Sequence, residues 1–506
     1  MPGIFSSLGS ASYSLQAHGR SVEQAGKNLA NINNPHYSRQ RVVNGSVGSV
    51  QTRLGVESGP IQSLRVEQVR NSYIDRQLLG EISYQSSLEA QDIRLRQALA
   101  NMGETVDRSD DATFLDDFAH NSGGIRGSLD TFFDSFESLA ARPTDATTRQ
   151  VVFQSAEALV DSFNRIDHRF DLMEQEMDTQ IETEITSFNQ KLAALEQTNQ
   201  EIGRLELGNA GAALDLRDER QRMLEELSEF GSIEVFEAAE NHGQVSVSMR
   251  DAAGVLTTIL EPKVAAKEIY YDSTNSQLRI LGSGQVLDMG AGRLPAVLEV
   301  RNVNVVNIRA ELDQMANTVA TEVNELYYQA YQPASGSTPA VPEISFFQQP
   351  TPPPSVSGVP STVTAANIAL YKSPSTPAVA GNFVALTATD LRTTTSAFAG
   401  SNDLALLIAE VATQNQSGLG GAITLSEFAS RSVSSLGQEI NDIQSRQEVQ
   451  ATVVDLLQTQ RAEVSGVSMD EEVANLVQYQ QAYQASSRYF NVLSEMLETL
   501  INSLGR

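Results

Sequence analysis

Apolar residues recur at alternating steps of four and three from the start of the chain to residue 32. The positions that share this rhythm are Ile4, Leu8, Ala11, Leu15, His18, Val22, Ala25, Leu29 and Ile32. This heptad pattern, which we call the N-terminal seam, predicts a helix that pairs with another helix along one stripe. The pattern ends at Asn33, Asn34 and Pro35, because proline and the residue before it disfavour helix.

The last forty residues repeat the same rhythm, which we call the C-terminal seam. Its positions are Met469, Val473, Leu476, Gln480, Tyr483, Ser487, Phe490, Ser494, Leu497, Ile501 and Leu504. One interpretation is that both segments are amphipathic helices lying on a globular core. Two clean heptad patterns favour another: coiled-coil pairing of the two ends with each other or with neighbouring subunits.

The middle of the chain predicts further long helices, over Leu64–Leu99, near residues 129–139, and from Ala146 to about Leu207. The third carries an apolar stripe at Leu159, Phe163, Ile166, Phe170, Met173, Met177, Ile181, Ile185, Phe188, Leu192, Leu195 and Ile202. A helix of this length spans about 90 Å at ~1.5 Å per residue. The sequence therefore predicts an elongated, rod-like molecule.

Two segments interrupt the helical pattern. Residues 232–298 alternate apolar and polar side chains as strands do, and residues 336–400 are rich in proline, serine and threonine. We predict a mainly α fold with a β insertion, in a nested topology that pairs the two chain ends. The expected domains are 1–60 with 465–506 (terminal coiled-coil assembly), 61–231 with 299–335 and 401–464 (elongated helical), and 232–298 with 336–400 (distal, β-rich).

Composition narrows the possible functions. The formal charge is −28, which disfavours binding to nucleic acid or to anionic lipid. There is no apolar run long enough to span a bilayer and no start resembling a cleaved signal peptide, so we expect no membrane anchor. The chain has no cysteine, which excludes disulfides, thiolate metal sites and cysteine nucleophiles.

The residues that could carry chemistry do not form a catalytic pattern. The five histidines are scattered, and the acidic run Asp107, Asp110, Asp111, Asp116 and Asp117 lacks the spacing and the glycine of a calcium loop. We therefore expect no enzyme activity, no catalytic residue, no cofactor and no metal. An enzyme domain carried on the scaffold would need a histidine or carboxylate cluster in the β segment, which contains His242 alone.

Both ends carry segments that resemble motifs of the bacterial flagellar axial proteins, a family of rod, hook and junction subunits. The stretch from Asn28 to Gln40 is similar to the family's N-terminal motif, and the stretch from Ser465 to Glu472 is similar to its C-terminal signature. The residues that carry the resemblance are Asn31, Asn34, Pro35, Tyr37, Arg39, Ser465, Gly466, Val467, Asp470, Glu471 and Glu472. The helical middle, with Leu216–Arg220, resembles the hook-associated protein 1 branch.

This resemblance implies a structural protein that caps the hook and forms the hook–filament junction. The implied partners are copies of this chain in a helical array, hook protein, the next junction protein (hook-associated protein 3), the flagellar export apparatus and a small helical export chaperone. It implies that the chain passes through the cytoplasm, is exported by the type III route, and acts outside the cell. The alternatives are a hook or rod subunit of the same family, which differ in the middle of the chain, and an intracellular coiled-coil scaffold.

The motif differs from the family pattern at two positions. Asn34 and His36 stand where threonine and glycine are usual. A turn that needs a positive φ at His36 would be strained, because only glycine adopts that conformation freely.

Overall fold

The computed structural model of the protein describes residues 2–46, 49–52, 55–58, 61–103, 124–208, 211–237, 242–329, 346–348, 363–370, 372–374, 383–385 and 402–504. Within these residues the structure is 68% helical, with small antiparallel sheets. The prediction of a mainly α fold with a minor β part is therefore confirmed. The acidic run at residues 107–117 lies outside the described residues.

The elements follow one another along the chain in two groups. The first group is α1 (Pro2–Ala30), β1 (Gln40–Ser46), β2 (Ser49–Thr52), β3 (Gly55–Ser58), β4 (Ile61–Gln68), α2 (Ser72–Asn101), α3 (Ile125–Ala141), α4 (Ala146–Glu206) and α5 (Leu214–Ser228). The second is β5 (Glu234–Glu237), β6 (Val245–Arg250), β7 (Leu256–Leu260), β8 (Ile269–Asp272), β9 (Gln277–Ile280), α6 (Arg293–Glu299), a π-helix (Val300–Val305), α7 (Val306–Gln329), β10 (Lys372–Pro374), β11 (Phe383–Ala385), α8 (Asp403–Glu410), a 3₁₀ turn (Ser417–Leu419), α9 (Leu425–Ser465) and α10 (Met469–Leu504).

The chain divides into two compact units. The first comprises Met1–Ser87, Glu182–Pro295 and Gln447–Arg506, and the second comprises Leu88–Ile181 and Ala296–Arg446. The dividing points fall within α2, α4, α9 and α6. This division does not coincide with the three domains predicted from the sequence, since the strands between residues 234 and 280 share a unit with both terminal helices.

The 61-residue helix α4 confirms the prediction of an uninterrupted helix from Ala146. All twelve side chains of its predicted stripe are buried, including the four at successive steps of four, Met173, Met177, Ile181 and Ile185. Each of these side chains is buried by other residues of the same chain, so the predicted apolar stripe is part of the core.

The predicted start of the second helix at Leu64 is wrong. Leu64–Gln68 belongs to β4, which pairs antiparallel with β1 from Gln40↔Gln68 to Ser46↔Ile61, and α2 begins only at Ser72. The β-branched and alternating residues of this stretch fit a hairpin, because the partner strand β1 supplies its backbone hydrogen bonds.

The β segment in the first unit forms small sheets rather than one large one. Strands β5, β6 and β7 make a three-stranded antiparallel sheet, and β8 pairs with β9. Val245, Val247 and Met249 of β6 are buried, as their alternation predicts.

The second unit contains an aromatic core. Phe346 and Phe347 are buried against Phe132 and Phe136 of α3. The side chain of Asn324 in α7 accepts the backbone N–H groups of both phenylalanines, at 3.0 and 2.8 Å. The sequence predicts that residues 336–400 group with the β-rich segment of residues 232–298. The described part at 346–348 packs among the helices of the second unit instead, because its two aromatic rings complete that core.

Candidate assembly site

The two terminal helices pack against each other within the first unit. The fully buried face of α1 consists of small and polar residues: Ala11, Ala17, Ser21, Gln24, Ala25 and Asn28. Most of these lie one position before a residue of the predicted seam. The larger apolar seam residues that the structure describes, Leu8, Leu15, Val22, Leu29 and Ile32, are only partly buried. In a single copy the described seam of α1 is therefore buried only at Ala11 and Ala25.

The C-terminal seam is also incompletely covered. Leu476, Phe490 and Leu497 are partly buried, whereas Val473, Tyr483 and Ile501 are exposed. Tyr483 nevertheless lies against α1, because a Cβ added at Gly19 would stand 3.6 Å from its ring. The side chains of Ile4 and Leu504 lie outside the described residues. The role of the seam residues in assembly stays a prediction.

Asn28 is the centre of a buried polar cluster at the end of α1. Its side-chain N–H₂ donates to the backbone carbonyl of Gln40 at 2.9 Å and to the carboxylate of Glu472 at 3.1 Å. Its side-chain oxygen accepts from the Tyr37 hydroxyl at 2.8 Å and from the Gln40 backbone N–H at 3.1 Å. Four hydrogen bonds at one amide fix the helix end, the following strand and α10 in one arrangement, because a buried polar group must be paired.

Arg39 joins the two family motifs directly. Its guanidinium donates to Glu472 at 2.8 Å and to Glu471 at 2.9 Å. Its backbone N–H donates to the carbonyl of Ser465 at 2.8 Å. Glu472 is buried and Glu471 is exposed, so the Glu472 pair is the one shielded from solvent.

Helix α5 closes the cluster from a third side. Asp215 accepts from the Gln40 side chain at 2.9 Å, and Asp218 accepts from the Ser38 backbone N–H at 3.3 Å. Arg70 lies 3.4 Å from the other oxygen of Asp218. The segment between α1 and β1 is thus held by α5 as well as by α10.

Burial changes the titration of two groups in this cluster. It raises the pKa of Asp218 to about 6, although Arg70 and the Ser38 backbone N–H oppose the shift. Burial and then the negative charges of Asp215, Asp218 and Glu472 raise the pKa of the Tyr37 hydroxyl. Tyr37 therefore stays protonated and remains a hydrogen-bond donor to Asn28 over the physiological range.

The turn after α1 accommodates Asn34 and His36, the two residues that differ from the family pattern. Asn34 accepts the backbone N–H of His36 on its side-chain oxygen at 3.2 Å, and its backbone carbonyl accepts the N–H of Tyr37 at 3.1 Å. This is an Asx turn, which asparagine forms readily. The backbone of His36 does not adopt a positive φ, so the strain considered from the sequence is absent. The His36 ring lies 3.5 Å from Glu225, which also pairs with Arg461 of α9.

The remaining motif residues have structural positions. Gly466 follows the end of α9, where a Cβ would stand 2.3 Å from the carbonyl oxygen of Ala462, so only glycine fits. Ser465 is buried, Val467 is partly buried, and Pro35 and Asp470 are exposed. Asn31 donates from its side chain to the Lys27 carbonyl at 3.0 Å.

The sequence analysis did not single out Asn28, Gln40 or Asp218 as site residues. Asn28 lies within the N-terminal motif. The only feature that could have identified it is that it is a polar residue directly before Leu29 of the N-terminal seam. Asp218 lies within the quoted segment Leu216–Arg220, whose two arginines anchor α5. Arg217 makes a two-point contact with Glu206 at 2.9 and 2.7 Å, and buried Arg220 donates to the carbonyl of Gly243.

This arrangement positions chain segments and shows no catalytic constellation. Across the described ranges, no group of three or more histidine, aspartate or glutamate side chains could hold a metal ion. Within the same part of the chain, every helix is too short or too polar to span a bilayer. What the cluster accomplishes is to fix how the two ends of the chain pair.

Comparison with known proteins finds similarity to flagellar proteins over the whole chain. Residues 115–338 match the family described as flagellar hook-associated protein FlgK helical domain, and residues 458–504 match flagellar basal body rod FlgEFG protein C-terminal. Flagellar hook-associated protein 1 of Bacillus subtilis (strain 168) is 23% identical over 544 aligned residues, covering 100% of this chain and 99% of the relative. Over its full length the chain is similar to flagellar hook-associated protein 1.

A second member of the hook-associated protein 1 family gives the same result. Flagellar hook-associated protein 1 of Salmonella typhimurium is 23% identical, with 96% of this chain and 98% of the relative covered. The solved structure of the flagellar hook junction protein FlgK from Burkholderia pseudomallei superposes with a TM-score of 0.55 at 13% identity. It covers 77% of this chain and 100% of that chain, and at this identity it supports the fold alone.

Proposed function

We propose that this chain is a structural subunit of the bacterial flagellum that forms the junction between hook and filament. The observation that carries the proposal is the buried contact of Asn28 and Arg39 with Glu472, which joins the two terminal family motifs into one element. The relatives named flagellar hook-associated protein 1 support the same role over the full length of the chain. We propose no covalent chemistry for it.

The exposed apolar residues of α10 support assembly through the terminal helices. Val473, Val477, Val492, Met496 and Ile501 are all exposed in a single copy. Several exposed apolar side chains along one helix favour a contact with another protein. In our proposal the first covering partner is a neighbouring copy in a helical array, with hook protein on one side and the next junction protein on the other.

Localisation follows from the same proposal. We infer that the chain passes through the cytoplasm, is exported by the flagellar type III apparatus with a small helical chaperone, and acts at the hook–filament junction outside the cell. Because Asn28, Arg39 and Glu472 require both chain ends, their contacts form only once the whole chain has left the export channel.

A hook or rod subunit of the same family is the nearest alternative. A hook protein would be rich in β structure where this chain is helical, and the helical content of 68% favours the junction protein. An intracellular coiled-coil scaffold would instead remain as soluble oligomers in the cytoplasm.

Deletion of the gene tests the proposal. The expected phenotype is hooks that lack filaments, restored by the wild-type gene, with the intact chain present in sheared flagella. A complementing gene with Val473→Asp and Ile501→Asp should fail to restore filaments, because two charges would have to be desolvated in the packed array.

Gln478→Asp with Gln484→Asp is the matched control, since both glutamines are exposed and already polar. It should restore filaments. Filaments in the deletion strain, or a chain confined to the cytoplasm, would contradict the proposed function.

A further inference from the structure

Helix α9 carries a repeated surface feature that packing within the chain does not use. Three dipeptides of an acidic and an aliphatic residue follow one another at intervals of seven and eight: Glu448–Val449, Asp455–Leu456 and Glu463–Val464. Two helical turns take ~7.2 residues, so the three dipeptides lie along one side of α9, about 11 Å apart. We call this feature the acidic ridge.

The acidic ridge is separate from the buried side of α9. Val454 and Leu457 pack inward against Leu78 of α2. Val449 is 65% exposed, Leu456 55% and Val464 43%. The carboxylates of Glu448, Asp455 and Glu463 are exposed, and none forms an ion pair within the described part of the chain. Single exposed aliphatic residues are ordinary, but three at helical spacing, each beside a free carboxylate, point to a partner that is both apolar and basic.

The hairpin of β1 and β4 has the complementary surface. The strand register shifts between Val43 and Asn44, so Leu64 has no partner residue and forms a β-bulge beside Arg65. Leu64 is 54% exposed, Arg41 67% and Arg65 62%. We call Arg41, Leu64 and Arg65 the basic hairpin face.

The basic hairpin face has an unbalanced positive charge. Both guanidiniums contact the single carboxylate of Glu67, at 2.6 and 3.1 Å, so among the residues that the structure describes here two positive charges share one negative charge. From residue 40 to 68 the sequence has Arg41, Arg53 and Arg65 against Glu57 and Glu67, a net charge of +1 in a chain of −28. The side chain of Leu64 lies over Gly45 of β1 and still presents about half of its surface to solvent, since a bulge re-aims the side chain that it carries.

We propose that the basic hairpin face of one copy docks on the acidic ridge of a second copy. Leu64 covers Val449 and Leu456, while Arg41 and Arg65 approach Glu448 and Asp455. This inference rests on the proposed function, because it needs copies of the chain side by side.

Charge complementarity selects a second copy as the occupant. Copies that each have a charge of −28 repel one another, so a productive contact has to bring a locally basic surface to a locally acidic one. The contact is far smaller than the ~1,200 Å² of a stable pair of proteins, so it forms only within an array, where many other contacts act together.

Cross-linking in the natural cysteine-free chain tests the proposal. Two tagged variants, Leu64→Cys and Leu456→Cys, are expressed together in the deletion strain, and flagella are treated with a short bis-maleimide. Because each chain has a single cysteine, a dimer bearing both tags joins two different copies. The expected result is this dimer in flagella and only monomer in the dilute purified protein.

Matched variants define the opposite results. Leu64→Cys with Val255→Cys, an equally exposed aliphatic position, should give no mixed dimer. Three results would overturn the proposal. The first is a dimer of two Leu64→Cys chains. The others are a cross-link of Leu456→Cys to Lys27→Cys of α1, or to a different flagellar protein, in place of Leu64→Cys.

Charge reversal provides a second, independent measurement. Arg41→Glu with Arg65→Glu should lower the yield of the Leu64–Leu456 dimer roughly three- to tenfold, as expected for the loss of two exposed ion pairs. Glu448→Arg with Asp455→Arg in the other copy should restore it. An unchanged yield in the reversed variant would refute the pairing.

The two proposals fail differently. If the chain is present in flagella and filaments form, but no mixed dimer appears, the docking proposal is wrong and the proposed function stands. If the wild-type chain is absent from flagella, the proposed function itself is wrong.

Discussion

Helices α4 and α1 both carry an apolar stripe, interrupted in α1 by His18, but only α4 buries the whole of its stripe. The twelve stripe residues of α4 are all buried within the chain. In α1 the buried stripe is small and polar, with Ser21, Gln24 and Asn28, and the large apolar residues lie beside it, partly covered. The chain itself therefore covers the stripe of α4, whereas α1 and α10 leave apolar surface uncovered, which in our proposal contacts neighbouring copies.

The largest effect on stability is expected in α4. Phe170→Ala should lower the free energy of unfolding by about 3–5 kcal/mol, because Phe170 is fully buried and its truncation leaves a void in the core. Urea unfolding followed by circular dichroism measures it. The matched control is Leu172→Ala on the exposed side of the same helix, which should cost less than about 0.5 kcal/mol. Equal losses for the two variants would break the contrast.

A smaller effect is expected at the polar cluster of α1. Glu472→Ala should destabilise the pairing of α1 with α10 by about 2–3 kcal/mol, because it leaves Asn28 and Arg39 without their buried acceptor. Hydrogen exchange of the α1 amides reports the loss. Glu471→Ala, which removes only the exposed partner of Arg39, should change exchange by less than about 1 kcal/mol. Fast exchange in wild-type α1 would show that the pairing needs neighbouring copies.

Asp218 should make the stability of this cluster depend on pH. Its pKa is about 6 in the folded chain against 3.8 ordinarily, so the folded state holds a proton that the unfolded state has released. The free energy of unfolding should therefore fall by about 1–2 kcal/mol as the pH rises from 4 to 7. Asp218→Asn should remove this component. An identical pH slope in the variant and the wild type would show that Asp218 is not its source.

The smallest effect on stability should accompany a large effect on assembly. Tyr489→Ser with Met496→Ser should change the unfolding of the monomer by less than about 0.5 kcal/mol, because both side chains are exposed in a single copy. The variant should nevertheless be depleted from sheared flagella, since these residues would be buried between copies. Normal incorporation would limit the contact surface of α10 to its other exposed residues.

Local periodicity predicted the long helices, although it placed the start of α2 at Leu64 instead of Ser72. The heptads of α1 and α10, the apolar stripe of α4 and the alternation of β6 follow from local periodicity, which is written into consecutive residues. The family motifs could also be identified from the sequence. Their residues Asn31, Tyr37, Arg39 and Glu472 lie where the two ends of the chain meet. The elongated form of the molecule stays a prediction.

Which face of each helix is covered, and which distant residues come into contact, can be seen only in the folded chain. Asn28 and Glu472 are 444 residues apart, and no local pattern relates them. Periodicity locates an apolar stripe, but the stripe that a single chain buries depends on the shape and hydrogen bonds of its partner. At the end of α1, Asn28 pairs with the buried carboxylate of Glu472, whereas the neighbouring seam residue Leu29 is only partly buried.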